Sequence, residues 1–372
     1  MSEKYRPIWI QNHTRAGTGV RGRKGRTIRF EIPCQMKGSA LRISFCNLFS
    51  QEDDLVGPMS LHRNGKVYEV KVNGEKVFKV GKDCHIDSDP IKADLAKGEI
   101  LEFRLFCNSR EAEGNQTVRN AVWSVKGDFT EQKEFPLAFA EKRKRGEGIV
   151  RYIPNVERIE VLNDEKPYVI AAMGDSIVQQ SQWTNRLYER ISDRNVVLLN
   201  AGIGGNRICN DGEGFYKMFG PSGIHRLESD LLSLEELDLV IFALGTNDIG
   251  MGKKGKKDYV SYEEMIKGTE FIVSKLHEKG VKVIGTTILP RKGSSGYSKD
   301  YDVENRRKYN EWVLNGNGFD DVIDFAKILH DEKDPEKLPD DCCLFDKVHP
   351  NGKGGKIIAE AIDLNVLCPK SM

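Results

Sequence analysis

The sequence contains no uninterrupted apolar run near 18 residues, the length a membrane helix needs. Its opening residues, Met1-Ser2-Glu3-Lys4-Tyr5-Arg6, lack the apolar stretch of a secretory leader. A soluble, cytoplasmic protein that does not engage membrane is the expectation. Charge of one sign is lacking too: 57 Lys and Arg stand against 56 Asp and Glu, so no global field draws the chain to nucleic acid. Cys34, Cys46, Cys84, Cys107, Cys209, Cys342, Cys343 and Cys368 include no CxxC pair and no short disulfide framework, which fits a reducing compartment. The adjacent Cys342 and Cys343 are expected to pack as small apolar groups, since neighbouring cysteines rarely bridge each other. His225, and His330 before Asp331-Glu332, have no partner at ligand spacing, so neither a metal nor a cofactor is expected.

What the chain has is length: 372 residues exceed one ordinary core and suit two. From about residue 25 to 130, short segments alternate with period two: Thr27–Ile32, Leu41–Phe45, Val67–Val72 and Ile100–Phe106. Asn64-Gly65 and Asn73-Gly74 are hairpin dipeptides, because both residue types tolerate positive φ. The pattern predicts an antiparallel, jelly-roll-like β-sandwich over residues 1–150, each sheet with one wet and one buried face. The basic stretch Lys142-Arg143-Lys144-Arg145-Gly146, flanked by Glu141 and Glu147, reads as a solvated linker at its end.

Over residues 151–372 the grammar becomes strand–helix alternation. Five apolar runs, Tyr168–Met173, Val196–Leu199, Leu237–Leu244, Val281–Ile288 and Val322–Phe325, predict a five-stranded parallel sheet buried on both faces. Ser261 and Glu264 form a capping-box signature, after which Met265, Thr269, Ile272 and Leu276 recur at helical spacing. Right-handed crossovers then give a three-layer α/β/α sandwich, which binds ligands at the carboxyl ends of its strands.

Four motifs fall at such ends or just before a helix. Ser176, in Gly174-Asp175-Ser176, follows the first strand; by itself it could equally be a helix cap or a phosphate-cradling turn, and Val178 excludes the GxSxG elbow. A serine hydroxyl is a weak nucleophile at neutral pH. It needs an imidazole to take its proton and an anion to orient and stabilise that imidazole, and Asp346 and His349 offer both three residues apart. A tetrahedral intermediate needs N–H donors; the Ser176 amide, the Gly205 amide in Gly204-Gly205-Asn206 and the Asn247 side chain in Gly245-Thr246-Asn247-Asp248 are candidates.

In this order the blocks resemble the GDSL, or SGNH, hydrolases over about residues 165 to 365, with isoleucine replacing leucine in Gly-Asp-Ser-Ile. The resemblance implies an SGNH-type fold with Ser176 as nucleophile, His349 as base, Asp346 as its orienter, and Ser176, Gly205 and Asn247 as oxyanion donors. The N-terminal part is similar, through Thr27-Ile28-Arg29, Leu41–Phe49 and Ser88-Asp89-Pro90, to the β-sandwich that precedes some bacterial SGNH domains, whose two-domain members act on carbohydrate or short-chain esters.

The loops Gly252–Lys257 and Arg291–Ser298 are polar, whereas a long acyl chain needs an apolar groove. The expected substrate is therefore an acetylated or short-acyl oligosaccharide, with Trp183, Trp312 or Tyr297 as stacking surfaces unless they serve the core. The alternatives are a general arylesterase, lipase or thioesterase, and a non-catalytic carbohydrate-binding protein. A homodimer is compatible with an exposed sandwich face.

Overall fold

The computed structural model describes residues 4–14, 24–108, 123–137, 153–295, 297 and 300–368. The basic stretch 142–146 lies outside them. The chain divides into two compact units, Met1–Pro167 and Tyr168–Met372.

Among the described residues, eleven strands build the first unit: β1 (Lys4–Ile10), β2 (Arg26–Pro33), β3 (Gly38–Asn47), β4 (Asp54–Arg63), β5 (Lys66–Val70), β6 (Phe78–Val80), β7 (Cys84–Asp87), β8 (Ile91–Leu95), β9 (Ile100–Cys107), β10 (Trp123–Lys126) and β11 (Val156–Asn163). They form two antiparallel sheets. One runs β1-β11-β3-β7 with β8 also on β3, the other β10-β2-β9-β4-β5 with β6 on β4. Ring pairs cross between them, Phe45 with Phe78 at 4.9 Å and Trp9 with Phe30 at 6.2 Å, so the sheets face each other over an aromatic core. Asn64-Gly65 joins β4 to β5 with φ of 50° and 70°, a two-residue turn whose twist matches the strands it connects. Asn73-Gly74 repeats the device at 51° and 81°, with Val72 and Glu75 exchanging two backbone bonds.

The sandwich ends later than the sequence suggests. Strand β11 lies between β1 and β3, pairing Leu162 with Tyr5 and Ile159 with Ile43, so the unit extends to Pro167 and not to 150. Its alternating Val156, Ile159 and Val161 are fully buried, and the basic run before it drew the expected boundary too early. The face expected to be wet is partly closed as well. Glu102 on β9 accepts from Arg29 at 2.6 Å and from Arg104 at 2.7 Å, while Arg104 also donates to the carbonyls of Phe129 and Gln132 on the following segment.

The second unit is the five-stranded parallel sheet anticipated, with β12 (Tyr168–Gly174), β13 (Val196–Gly202), β14 (Leu239–Ala243), β15 (Lys282–Thr286) and β16 (Asp321–Ile323) in the order β13-β12-β14-β15-β16. This is a doubly wound α/β/α sandwich, and its strand order reverses at β12. On one face Ile170, Ala172, Leu198, Ile241 and Ile284 pack with Trp183 and with Leu187, Ile191 and Ile358 from helices Thr184–Ile191 and Gly352–Ala361. Over the other face lie helices Tyr262–Glu278 and Asp300–Leu314. The first begins with the full capping box of Ser261 and Glu264, and buries Met265, Thr269, Ile272 and Leu276. Among the described residues, no helix is long and apolar enough to cross a membrane.

Candidate active site

Strand register brings three motifs to one edge. Gly174 at the end of β12 stands level with Gly202 on β13 and Ala243 on β14, so the loops that leave these three neighbouring strands carry Ser176, Gly205 and Asn247. The Ile203 amide donates to the Gly174 carbonyl at 3.0 Å and extends the ladder one step into the second loop.

The fourth motif arrives from the C-terminal side. Asn351 caps helix Gly352–Ala361 through the amides of Lys353 and Gly354, and Gly355 lets that helix approach the Gln182 backbone where a Cβ would collide with it. This seats the preceding loop above Ser176. The loop closes on itself through Leu344 N–H to the His349 carbonyl (2.8 Å) and Asn351 N–H to the Cys342 carbonyl (3.0 Å), with Lys347 at φ 58° in its turn.

Ser176, His349 and Asp346 form one hydrogen-bonded chain. His349 Nε2 lies 2.7 Å from Ser176 Oγ, and His349 Nδ1 lies 2.7 Å from Asp346 Oδ2. The other Asp346 oxygen accepts from the amides of Val348 (3.0 Å) and His349 (3.1 Å). Partial burial pushes the Asp346 carboxyl up, but these amides and the His349 ring outweigh it and hold the group below the ordinary carboxylate range. It is thus an anion wherever the imidazole needs one.

Gly205 has φ +77° and the Phe219 ring lies against it, so a side chain there would be strained by its backbone and would collide with the ring. Asn247 Nδ2 donates to the Asn206 carbonyl at 3.0 Å, which fixes its amide and leaves a second hydrogen for another acceptor.

The aromatics that could have been either stacking surfaces or core residues pack within the protein. Trp183 is fully buried edge-on to Phe325, at 5.3 Å between centroids. Tyr297 is buried, with its hydroxyl bonded to Glu336 and Arg306. Trp312 packs between Tyr309 and Phe319. Nor is the Arg291 loop a rim throughout: Arg291 and Ser294 are buried, and Arg291 donates to the Thr246 carbonyl beside Asn247. The exposed rings are others. Phe345, next to Asp346, is 94 % exposed, and Tyr216 is 49 % exposed and stacks on Phe219. His225 pairs with Asp211, His330 Nδ1 lies beside the Lys327 carbonyl, and Cys342 and Cys343 are buried thiols without a bridge.

Two buried carboxyls that sequence reasoning passed over brace the loops. Asp175 accepts from Ile177 N–H at 2.9 Å, and Asp248 accepts from the amides of Ile208 (2.8 Å) and Cys209 (3.2 Å), just beyond Gly205-Asn206. Both stand inside the motifs, and only their burial sets them apart. Desolvation pushes each up to about 6 against the pull of those amides. A carboxyl raised on folding contributes stability that is complete below its unfolded value of 3.8 and is lost as pH rises through about 6. Relative to Asp248→Asn, the wild type should therefore lose unfolding free energy between about pH 4 and pH 7. Urea melts across that range measure it, and parallel curves would contradict the assignment.

A family model described as GDSL-like Lipase/Acylhydrolase matches residues 172–357, half of the chain. No curated protein matches. Among solved structures, the chain is similar to a GDSL-like lipase from Bacteroides thetaiotaomicron (18 % identity, 55 % of this chain and 91 % of that one, TM-score 0.40). It is also similar to Est24, a carbohydrate acetylesterase from Sinorhizobium meliloti (16 %, 52 % and 95 %, 0.41). A third is a mutant of Axe2, an acetylxylan esterase from Geobacillus stearothermophilus (17 %, 52 % and 91 %, 0.42).

Proposed function

Because this chain belongs to the GDSL-like lipase/acylhydrolase family, we propose that it is a serine ester hydrolase that removes acetyl or other short acyl groups from carbohydrate through an acyl-enzyme. The observation that carries the reading is the relay of two 2.7 Å contacts from Ser176 through His349 to Asp346. In this mechanism Ser176 Oγ attacks the ester carbonyl as His349 Nε2 takes its proton, and Asp346 stabilises the imidazolium. The Ser176 amide, the Gly205 amide and the free hydrogen of Asn247 Nδ2 receive the oxyanion. His349 then returns the proton to the departing sugar oxygen, and afterwards activates water to release the acid. No step calls for a cofactor.

The preference for a small acyl group on a polar scaffold rests on the rim. Lys253, Lys254, Lys256 and Lys257, in the loop that follows the helix bearing Asn247, are all exposed. A second reading, an esterase for aryl or longer acyl esters, draws on the solvent-facing rings of Phe345 and Tyr216, which offer apolar surface that the sequence did not disclose. A series of p-nitrophenyl esters separates the two. The short-acyl reading expects kcat/KM to be highest at two to four carbons and acetate to be released from acetylated oligosaccharides. A maximum at eight carbons or more would establish the second reading. Binding of acetylated glycans without acetate release would point instead to a binding protein.

A further inference from the structure

We propose that Arg226 is a positioning residue that fixes the Gly205 loop and Asn247 to the end of the strand bearing Ser176, an inference that rests on the ester-hydrolase reading above. Arg226 is 2 % exposed, and its guanidinium reaches four acceptors. Nη2 donates to the Gly174 carbonyl at 3.0 Å, two residues before Ser176. Nη1 donates to the Ala201 carbonyl at 3.0 Å near the end of β13, and to Asp230 Oδ2 at 2.8 Å. Nε donates to Asn206 Oδ1 at 2.9 Å.

Asn206 passes the constraint on. Its amide nitrogen donates to the carbonyls of Phe219 (2.8 Å) and Pro221 (2.6 Å), which secures the segment whose Phe219 ring lies against Gly205. Its main-chain carbonyl accepts from Asn247 Nδ2. A single buried guanidinium thus joins the nucleophile's strand, the loop of one amide donor and, through one residue, the side chain of another.

Holding the fold alone would not demand this chemistry, because well-packed apolar residues often replace a buried ion pair without loss. The requirement for a cation with a rigid planar fork comes from its acceptors. Three are neutral oxygens, at the ends of β12 and β13 and in the loop that follows β13, and one carboxylate, Asp230, balances the charge. Lysine, a point donor on a flexible stem, cannot span that set. Donors of a transition-state charge act only when correctly placed, and a misplacement of about 1 Å can cost about 10²-fold in rate.

The experiment compares Arg226→Met, Arg226→Lys and Asn206→Ala with wild type, each checked for folding by circular dichroism. In Arg226→Met, kcat on a short acyl ester should fall about 10²-fold, with KM within about threefold and the acid limb of kcat/KM against pH unmoved, since His349 and Asp346 lie outside the network. Arg226→Lys should recover part of the loss. Hydrogen exchange should quicken over 202–207 and 246–248 and stay unchanged over 346–349. Should Arg226→Met fail to fold, Asn206→Ala carries the same expectations, because it removes the side chain through which Arg226 reaches this loop and leaves the contacts of Arg226 with Gly174, Ala201 and Asp230. A folded variant whose kcat stays within about threefold of wild type, or whose acid limb shifts together with kcat, would overturn the proposal. Failure of the hydrolase reading looks different: wild-type activity would then survive Ser176→Ala. In that case exchange decides, and unchanged protection over 202–207 overturns the clamp while faster exchange sustains it.

Discussion

Ser176→Ala should lower kcat/KM on short acyl esters by about 10⁴-fold or more, the scale seen when a member of such a relay is removed. The substitution deletes one oxygen of a partly exposed residue that takes part in a single hydrogen bond, to His349 Nε2, so the fold should be indifferent to it. What remains should be the residual acceleration that oxyanion donors and binding give to attack by water. Steady-state kinetics beside a thermal melt measure both quantities. An unaltered melting temperature with activity lost is the expected pair; full activity in the purified variant would remove Ser176 from the chemistry.

Asp346→Asn should cost almost as much, on the order of 10⁴-fold, although it changes one atom and no shape. In the wild type, Asp346 Oδ1 holds the amides of Val348 and His349, while Oδ2 faces His349 Nδ1. An asparagine that keeps its oxygen on the two amides must turn its NH₂ toward Nδ1. The ring then accepts at Nδ1 and carries its hydrogen at Nε2, where the Ser176 proton has to go. The stabilising anion is lost as well. Because both amide bonds survive, the loop should keep its form, and the loss should fall on kcat more than on KM. Activity within tenfold of wild type would mean that His349 does not depend on this carboxylate.

Local grammar was readable directly. The Asn-Gly turns, the Ser261/Glu264 box and the apolar strands of the second unit are each set by residues within a few positions of one another, and each appears where the sequence puts it. Three of the four motifs were readable for a related reason: the end of a parallel strand is marked by the break in its apolar run, and register then aligns the neighbouring ends.

Long-range pairing was not readable. Nothing local shows that Val156–Asn163 returns to lie between β1 and β3, more than a hundred residues upstream, so the domain boundary was set too early. Arg226 shares Gly223–Leu227 with His225, a residue that drew notice only as a metal candidate, and three of its four acceptors lie 20 to 52 positions away in sequence. Exposure of aromatics was equally hidden. Trp183 and Phe345 both flank a motif, yet the first has Phe325 to cover it and the second has nothing comparable, a difference that only the packing of the C-terminal segment creates.

Intact-mass spectrometry of the protein quenched within seconds of mixing with p-nitrophenyl acetate, followed by peptide mapping, tests the relay most directly. A single added acetyl group on Ser176, absent from Ser176→Ala and strongly reduced in His349→Ala, is the expected result. An acetyl group on another residue, or one on Ser176 that forms equally fast without His349, would contradict the mechanism.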